Sequence, residues 1–220
     1  MAEVYLRRLS RWQAEQQRDA VADVYVGAYR GAAGAEHRDR QGFLRRLEQH
    51  VQHTGFDMMV ADTAGTVGCA YGFRVPRSGE WWSDLQGELP TDIEELTASG
   101  RTFLLAELMV LPVHRRRGIA TRLVERLLIR LDADLVVAAT GQATDRASDH
   151  GADGGGDGND ADGDRDGADR SPGAAAEAFR SWGWSRFGVL GPRGFPETAF
   201  GAGPGAGSMA GEVWIRRPLR

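Results

Sequence analysis

Arg101–Leu131, RTFLLAELMVLPVHRRRGIATRLVERLLIRL, is the stretch whose reading decides the fold. Arg101 to Leu111 is almost continuously apolar, without the alternation of a half-exposed strand. It therefore predicts a strand buried on both faces. Pro112 has no N–H to give to a ladder, so pairing should stop there. Beyond His114-Arg115-Arg116-Arg117-Gly118 the period changes. Ala120, Leu123, Val124, Leu127, Leu128 and Leu131 recur at steps of three and four, one face of a helix, while Arg122, Glu125, Arg126 and Arg130 fall largely on the other. Buried strand, tight turn and amphipathic helix follow in that order.

The helix start is unusual. A helix N-terminus already carries partial positive charge, so cations belong at the other end. Three arginines nevertheless crowd it, and no Ser, Thr, Asp or Asn caps it. Two readings are open at this point. Free N–H groups, a glycine permitting close approach and guanidinium forks would cradle a phosphate. Alternatively the turn is a solvated basic surface, with Gly118 chosen for packing.

Arg115-x-x-Gly118-x-Ala120 after the strand LAELMVLP resembles the acyl-CoA signature (Q/R)-x-x-G-x-(G/A) of the GNAT superfamily of N-acyltransferases. The likeness extends from Val4 to Leu219 apart from two insertions. It implies an α/β (α+β) fold: a mixed, mostly antiparallel central sheet, helices on both faces and a splayed parallel strand pair. It also implies acetyl-CoA as co-substrate and direct transfer of acetyl to an acceptor amine. Leu108, Met109 and Val110 match the strand that pairs with pantetheine and faces the thioester carbonyl. The amides of Arg116, Arg117, Gly118, Ile119, Ala120 and Thr121, together with Arg115, match the loop that holds the pyrophosphate.

Glu107 is the lone carboxylate inside LLAELMVL. A buried carboxylate without a partner is costly, and apolar surroundings raise its pKa toward the range of a general base. Glu107 is thus the expected base, the bland alternative being a carboxylate satisfied by an arginine or by backbone N–H groups. The family's general acid is a tyrosine in Y-x-x-x-G-F. Here the matching segment is Phe179-Arg180-Ser181-Trp182-Gly183-Trp184, and Phe179 has no proton to donate. Ser181 or a pocket tyrosine (Tyr25, Tyr29 or Tyr71) would have to replace it, unless the thiolate leaves unaided.

The rest of the chain bounds the problem. At 220 residues it is expected to be one domain with a sizeable core. No apolar run reaches the ~18 residues of a membrane span, and MAEVYLRRLSRW lacks the apolar stretch of a signal peptide, so a cytoplasmic location is expected. Cys69 is alone, so no disulfide framework is predicted. His37, His50, His53, His114 and His150 show no metal-ligand spacing, no G-x-S-x-G elbow is present, and no metal is expected. The net charge of −4 is uneven. Residues 141–170 hold nine Asp and three Arg, hence −6, which leaves +2 for the remainder. That is no nucleic-acid footprint. This Gly/Asp-rich stretch is predicted to be a disordered insertion. Its Asp162-x-Asp164-x-Asp166-Gly167 matches half a calcium loop but lacks the twelfth-position Glu, which is Gly173.

A first strand is predicted over Glu3–Leu9, helices over Arg11–Arg30 and Arg38–Gln52, and a hairpin over Phe56–Ala61 and Thr66–Val75. Pro76–Gly100 is an insertion of one or two short helices, its Trp81 and Trp82 filling a satellite core or walling an acceptor pocket. A strand at Asp134–Thr140, a helix capped by Ser171-Pro172 and running to Trp182, and strands at Trp184–Leu190 and Glu212–Leu219 complete the order, with Gly191–Gly207 a mobile loop. The expected partner is a small-molecule amine, with a homodimer consistent with the family. A non-catalytic acyl-CoA sensor and acetylation of a protein N-terminus or Lys are the alternatives.

Overall fold

A computed structural model of the chain describes residues 3–29, 40–141, 174–191 and 211–218. The predictions for the Gly/Asp-rich insertion, its half calcium loop, the Ser171-Pro172 cap and most of the Gly191–Gly207 loop lie outside the described residues.

Among these residues seven strands form one sheet. They are β1 (Tyr5–Leu9), β2 (Asp57–Asp62), β3 (Thr66–Arg74), β4 (Thr102–Val110), β5 (Leu135–Gly141), β6 (Ser185–Leu190) and β7 (Gly211–Arg216), in the order β1-β2-β3-β4-β5-β7-β6. All pairings are antiparallel except β4 with β5. The parallel pair follows from the amphipathic crossover helix between them, which has to pack back onto the sheet.

Helices α1 (Arg11–Gln16), α2 (Arg18–Tyr29), α3 (Arg40–His50) and α4 (Thr91–Ala98) cover one face; α5 (Ile119–Leu128) and α6 (Ala174–Ser181) cover the other. Where a single helix over Arg11–Arg30 was expected, the chain bends at Gln17 into α1 and α2. α1 starts on a capping box: the Ser10 side chain accepts from the Gln13 N–H, and the Gln13 side chain accepts from the Ser10 N–H. Two cores result. Tyr25, Phe43, Leu47, Met58, Val60 and Leu104 fill the α1–α4 side; Phe103, Leu105, Leu123, Leu127, Phe179 and Trp214 fill the α5–α6 side.

The insertion belongs to the first core. Trp81 and Trp82 are buried with Ile93, and the Trp82 indole donates to Thr97 Oγ1 at 3.0 Å. Gln86 N–H donates to Val189 O, and Gly191 N–H to Asp84 O. The two tryptophans thus join the main core of that face rather than a separate satellite, because burying a large indole stabilises more than exposing it over a pocket, and the backbone bonds of Gln86 and Asp84 tie the insertion to β6 and its end.

Two departures from regularity in β4 position the site. Its pairing with β5 covers only Thr102↔Leu135, Phe103↔Val136 and Leu104↔Val137, so the strands part beyond Leu104. This is the splay implied by the family resemblance. One step further, Tyr71 pairs with Glu107 but Gly72 pairs with Leu105, so Ala106 is an extra residue, a bulge. Leu104 and Ala106 face the α1–α4 core, and beyond the bulge so does Met109, while Val110 joins Leu105 on the α5 side. Without the extra residue, strict alternation would put Glu107 on the α5 side with Leu105.

Candidate functional site

A cavity of about 650 Å³ lies along the β4 edge exposed by this parting. Its walls are Leu108, Met109 and Val110 of β4, the segment from His114 through Arg116, the start of α5 from Gly118 to Thr121, one side of α6, and Ala28 and Tyr29 at the end of α2. Nine of the ten residues expected to hold a cofactor line it; Arg117 does not.

The helix start is built as the sequence suggested. Gly118 is the N-cap at φ 69°, ψ 10°, and no side chain caps the helix. Arg122 N–H is the first to close on a carbonyl of this turn, Gly118 O at 3.0 Å. The N–H groups of Ile119, Ala120 and Thr121 precede any carbonyl four residues back within the helix. Arg116 also sits at φ 58°, an uncommon conformation for a side-chain-bearing residue and of order 1–3 kcal/mol uphill. The turn thus concentrates backbone donors and the positive helix end at one wall of the cavity.

Arg115 departs from the expected phosphate fork. Its Nε donates to Val110 O at 3.2 Å and an Nη donates to Ala28 O at 2.6 Å, while its own N–H donates to Pro112 O at 3.1 Å. The guanidinium thus ties the C-terminus of α2, where a cation is favourable, to the end of β4. In doing so it fixes the neighbouring Tyr29.

Opposite, α6 presents Ala178, Phe179, Ser181 and Trp182. The Trp182 indole donates to Thr121 Oγ1 at 2.9 Å, clamping α6 to the first turn of α5. Phe179 is buried at 4.9 Å from Trp184 and stacked 5.7 Å from Trp214. Ser181 Oγ donates to Ala178 O at 2.8 Å. That hydroxyl is engaged with its own helix, which weakens Ser181 as a substitute acid.

Glu107 is 2% exposed and is not part of the cavity wall. The apolar surroundings expected for it are not what the fold provides. The bulge turns it into a polar cluster under α2 and α3. Tyr29 Oη donates to Glu107 Oε2 at 3.5 Å, and Tyr71 faces it across the ladder. Arg46 is buried and donates to Tyr25 Oη at 3.1 Å. Burial works against its charge, but Tyr25 and Glu107 more than offset this and leave its pKa raised. Of the three candidate tyrosines, Tyr25 and Tyr71 are core residues and only Tyr29 reaches the cavity. Burial, with Glu107 nearby, pushes the Cys69 thiol up, so it is no nucleophile.

Arg46 and His50 were not singled out from sequence, yet a signal exists. They follow Phe43 at i+3 and i+7, so they share the buried face of α3. His50 Nδ1 lies 3.1 Å from Tyr71 Oη. Burial above all, then His53 and Arg46, lowers its pKa from 6.5 to about 3. The sign is that of a neutral buried base. Its contribution to stability is complete above pH 6.5 and is lost as pH falls toward 3, where only the unfolded chain binds the proton. The loss reaches about 5 kcal/mol over that window. Urea titrations at pH 4 to 8 should show a steeper acid limb for wild type than for His50→Asn, which keeps a group near the Nδ1 position. Equal limbs would reject the assignment.

No protein-family model and no curated protein matches the sequence. Solved structures do match, over nearly the whole chain. A GNAT-family protein from Desulfovibrio desulfuricans shares 14% identity at a TM-score of 0.56, covering 98% of this chain and 99% of its own. An acetyltransferase from Thermus thermophilus shares 11% at 0.56, covering 99% and 100%. The GNAT-like decarboxylase GphF, in complex with isobutyryl-CoA, shares 18% at 0.55, covering 97% and 98%. The fold is that of the GNAT superfamily. Among the described residues no helix is long and apolar enough to cross a membrane.

Proposed function

We propose that the chain is an N-acyltransferase that takes acetyl from acetyl-CoA and passes it to the primary amine of a small molecule. The observation that carries this reading is the single cavity wall shared by the parted edge of β4 and the uncapped, arginine-flanked start of α5. A thioester on an extended pantetheine needs a strand edge to pair with and a diphosphate site at one end. Leu108 to Val110 offer the first, and the amides from Arg116 to Thr121 the second. GphF is bound to isobutyryl-CoA on the same fold, which supports a CoA-linked donor.

The chemistry asked of the protein is modest. Holding amine and thioester together removes the entropy of a two-body encounter, up to about 7–11 kcal/mol of barrier. A backbone N–H of β4 polarises the carbonyl, and Glu107, buried behind the cavity wall, is the nearest carboxylate on β4 to which the ammonium proton can be passed. Arg115 holds α2 against β4, so it shapes the wall rather than gripping phosphate.

A second reading, a non-catalytic acyl-CoA-binding module, is favoured by Phe179 and by the Ser181 hydroxyl being spent on its own helix. One experiment separates them. Calorimetric titration with acetyl-CoA is followed by thiol release with a panel of polyamines, aminoglycosides and amino acids. Micromolar binding with amine-dependent thiol release is expected. Binding without release from any amine would leave only the binding module, and no binding would remove both readings. A homodimer is the proposed assembly, and sedimentation of the same protein checks it.

A further inference from the structure

We propose that Tyr29 is the residue that takes the acceptor's proton, and that Glu107 acts only through it. The inference rests on the acyl-transfer reading above and deepens it.

Glu107 carries the charge a base needs but has no face on the cavity; Tyr29 has the face, and its hydroxyl is already directed at Glu107 Oε2, 3.5 Å away. That distance is loose, as hydrogen bonds at reacting groups commonly are before substrate binds. The placement of both side chains is built in. The Ala106 bulge turns Glu107 toward α2, and the Arg115 bond to Ala28 O holds the last turn of α2 against β4. Arg46 is near enough to the carboxylate that Glu107, after Tyr25, helps raise the Arg46 pKa. No other hydroxyl described on the cavity wall is as well placed: Ser181 donates to its own helix and Thr121 Oγ1 accepts from Trp182.

An ammonium proton of the acceptor passes to Tyr29 Oη as the Tyr29 proton passes to Glu107 Oε2, leaving a neutral amine, a neutral phenol and a protonated carboxyl. The nitrogen lone pair forms the C–N bond, the C–S electron pair leaves on sulfur, and the second nitrogen proton completes the thiol. Glu107 then returns its proton to solvent by the same route.

The titratable groups around this pair are Tyr25 on α2, Arg46 and His50 on α3, Tyr71 and Cys69 on β3, and His114 and Arg115 on the cavity wall beside Tyr29. His50 titrates near 3, and burial first, then Glu107, pushes Tyr71 well up, so neither changes charge across a rate profile from pH 5 to 9. The contribution of Glu107 is therefore read as the difference between the wild-type and Glu107→Gln profiles, not from the position of the limb.

The test compares wild type, Tyr29→Phe, Glu107→Gln and the double variant, using acetyl-CoA and the best amine of the panel. Tyr29→Phe should bind acetyl-CoA within about threefold of wild type and lose about 100-fold in kcat. Glu107→Gln should lose a similar factor and flatten the acid limb. The double variant should be no slower than the worse single variant, because the two act as one unit. Retention of kcat within about threefold by Tyr29→Phe, or a double-variant loss equal to the product of the singles, overturns the relay while acyl transfer stands. Absence of thiol release by wild type overturns the acyl-transfer reading and the relay with it.

Discussion

Gly72→Ala is expected to lower the unfolding free energy by about 3–4 kcal/mol, a large share of a typical domain's stability. A Cβ at Gly72 would lie 2.1 Å from Leu104 O and 2.5 Å from Phe103 Cε1. Neither neighbour can retreat. Leu104 pairs with Phe73 on one side and with Val137 on the other, so its carbonyl is held between two strands. The Phe103 ring is fully buried in the α5-side core. Gly65 is the control, since a Cβ there meets nothing within 4 Å. Gly65→Ala should stay within about 0.5 kcal/mol of wild type. Urea unfolding measures both, and a Gly72→Ala loss below about 1 kcal/mol would contradict the packing argument. The substitution also bears on the site. Gly72 is the last residue of β3 paired before the bulge, so any relief of the clash moves the residues that aim Glu107.

That bulge marks the limit of what the sequence makes readable. The order of strands and helices, the burial of β4 on both faces and the uncapped, glycine-led start of α5 all follow from local pattern, because period and capping are local properties. The face on which Glu107 lies does not. LLAELMVL is apolar at every other position, so it shows no alternation from which a one-residue slip could be detected. The reading of Glu107 as a carboxylate in apolar surroundings failed for this reason. Its neighbours Tyr29, Arg46 and Tyr71 come from three other elements. Arg115 fails differently: its Arg-x-x-Gly spacing suits a phosphate fork, but its guanidinium satisfies Val110 O and Ala28 O, the latter 87 positions away in sequence. Conversely, that position 179 has no proton to donate is legible from one residue, and the structure adds what the Phe179 ring does. It is the centre of an aromatic cluster with Trp182, Trp184 and Trp214 that joins α6 to the sheet.

Gly118→Glu is expected to weaken acetyl-CoA binding about a hundredfold while leaving the fold intact, and the separation of those two effects is what gives the experiment its force. A Cβ at Gly118 meets nothing within 4 Å, so no packing is disturbed. The stability cost is that of a side-chain-bearing residue at φ 69°, about 1–2 kcal/mol, partly offset because a carboxylate at a helix N-terminus is favourable by about 0.3–1 kcal/mol. Binding responds oppositely. The carboxylate stands where a diphosphate should approach the α5 amides. At ~6 Å and an effective dielectric near 20, two like unit charges repel by roughly 3 kcal/mol, which corresponds to that loss of affinity. Gly118→Ala carries the same backbone strain without the charge, and should lose less than about tenfold. Calorimetry with acetyl-CoA, paired with urea unfolding of all three proteins, resolves the two contributions. Equal affinity for wild type and Gly118→Glu would mean that the diphosphate does not sit at this helix start. The arginines of this turn would then be a solvated basic surface, and the cavity beside β4 would need a different ligand.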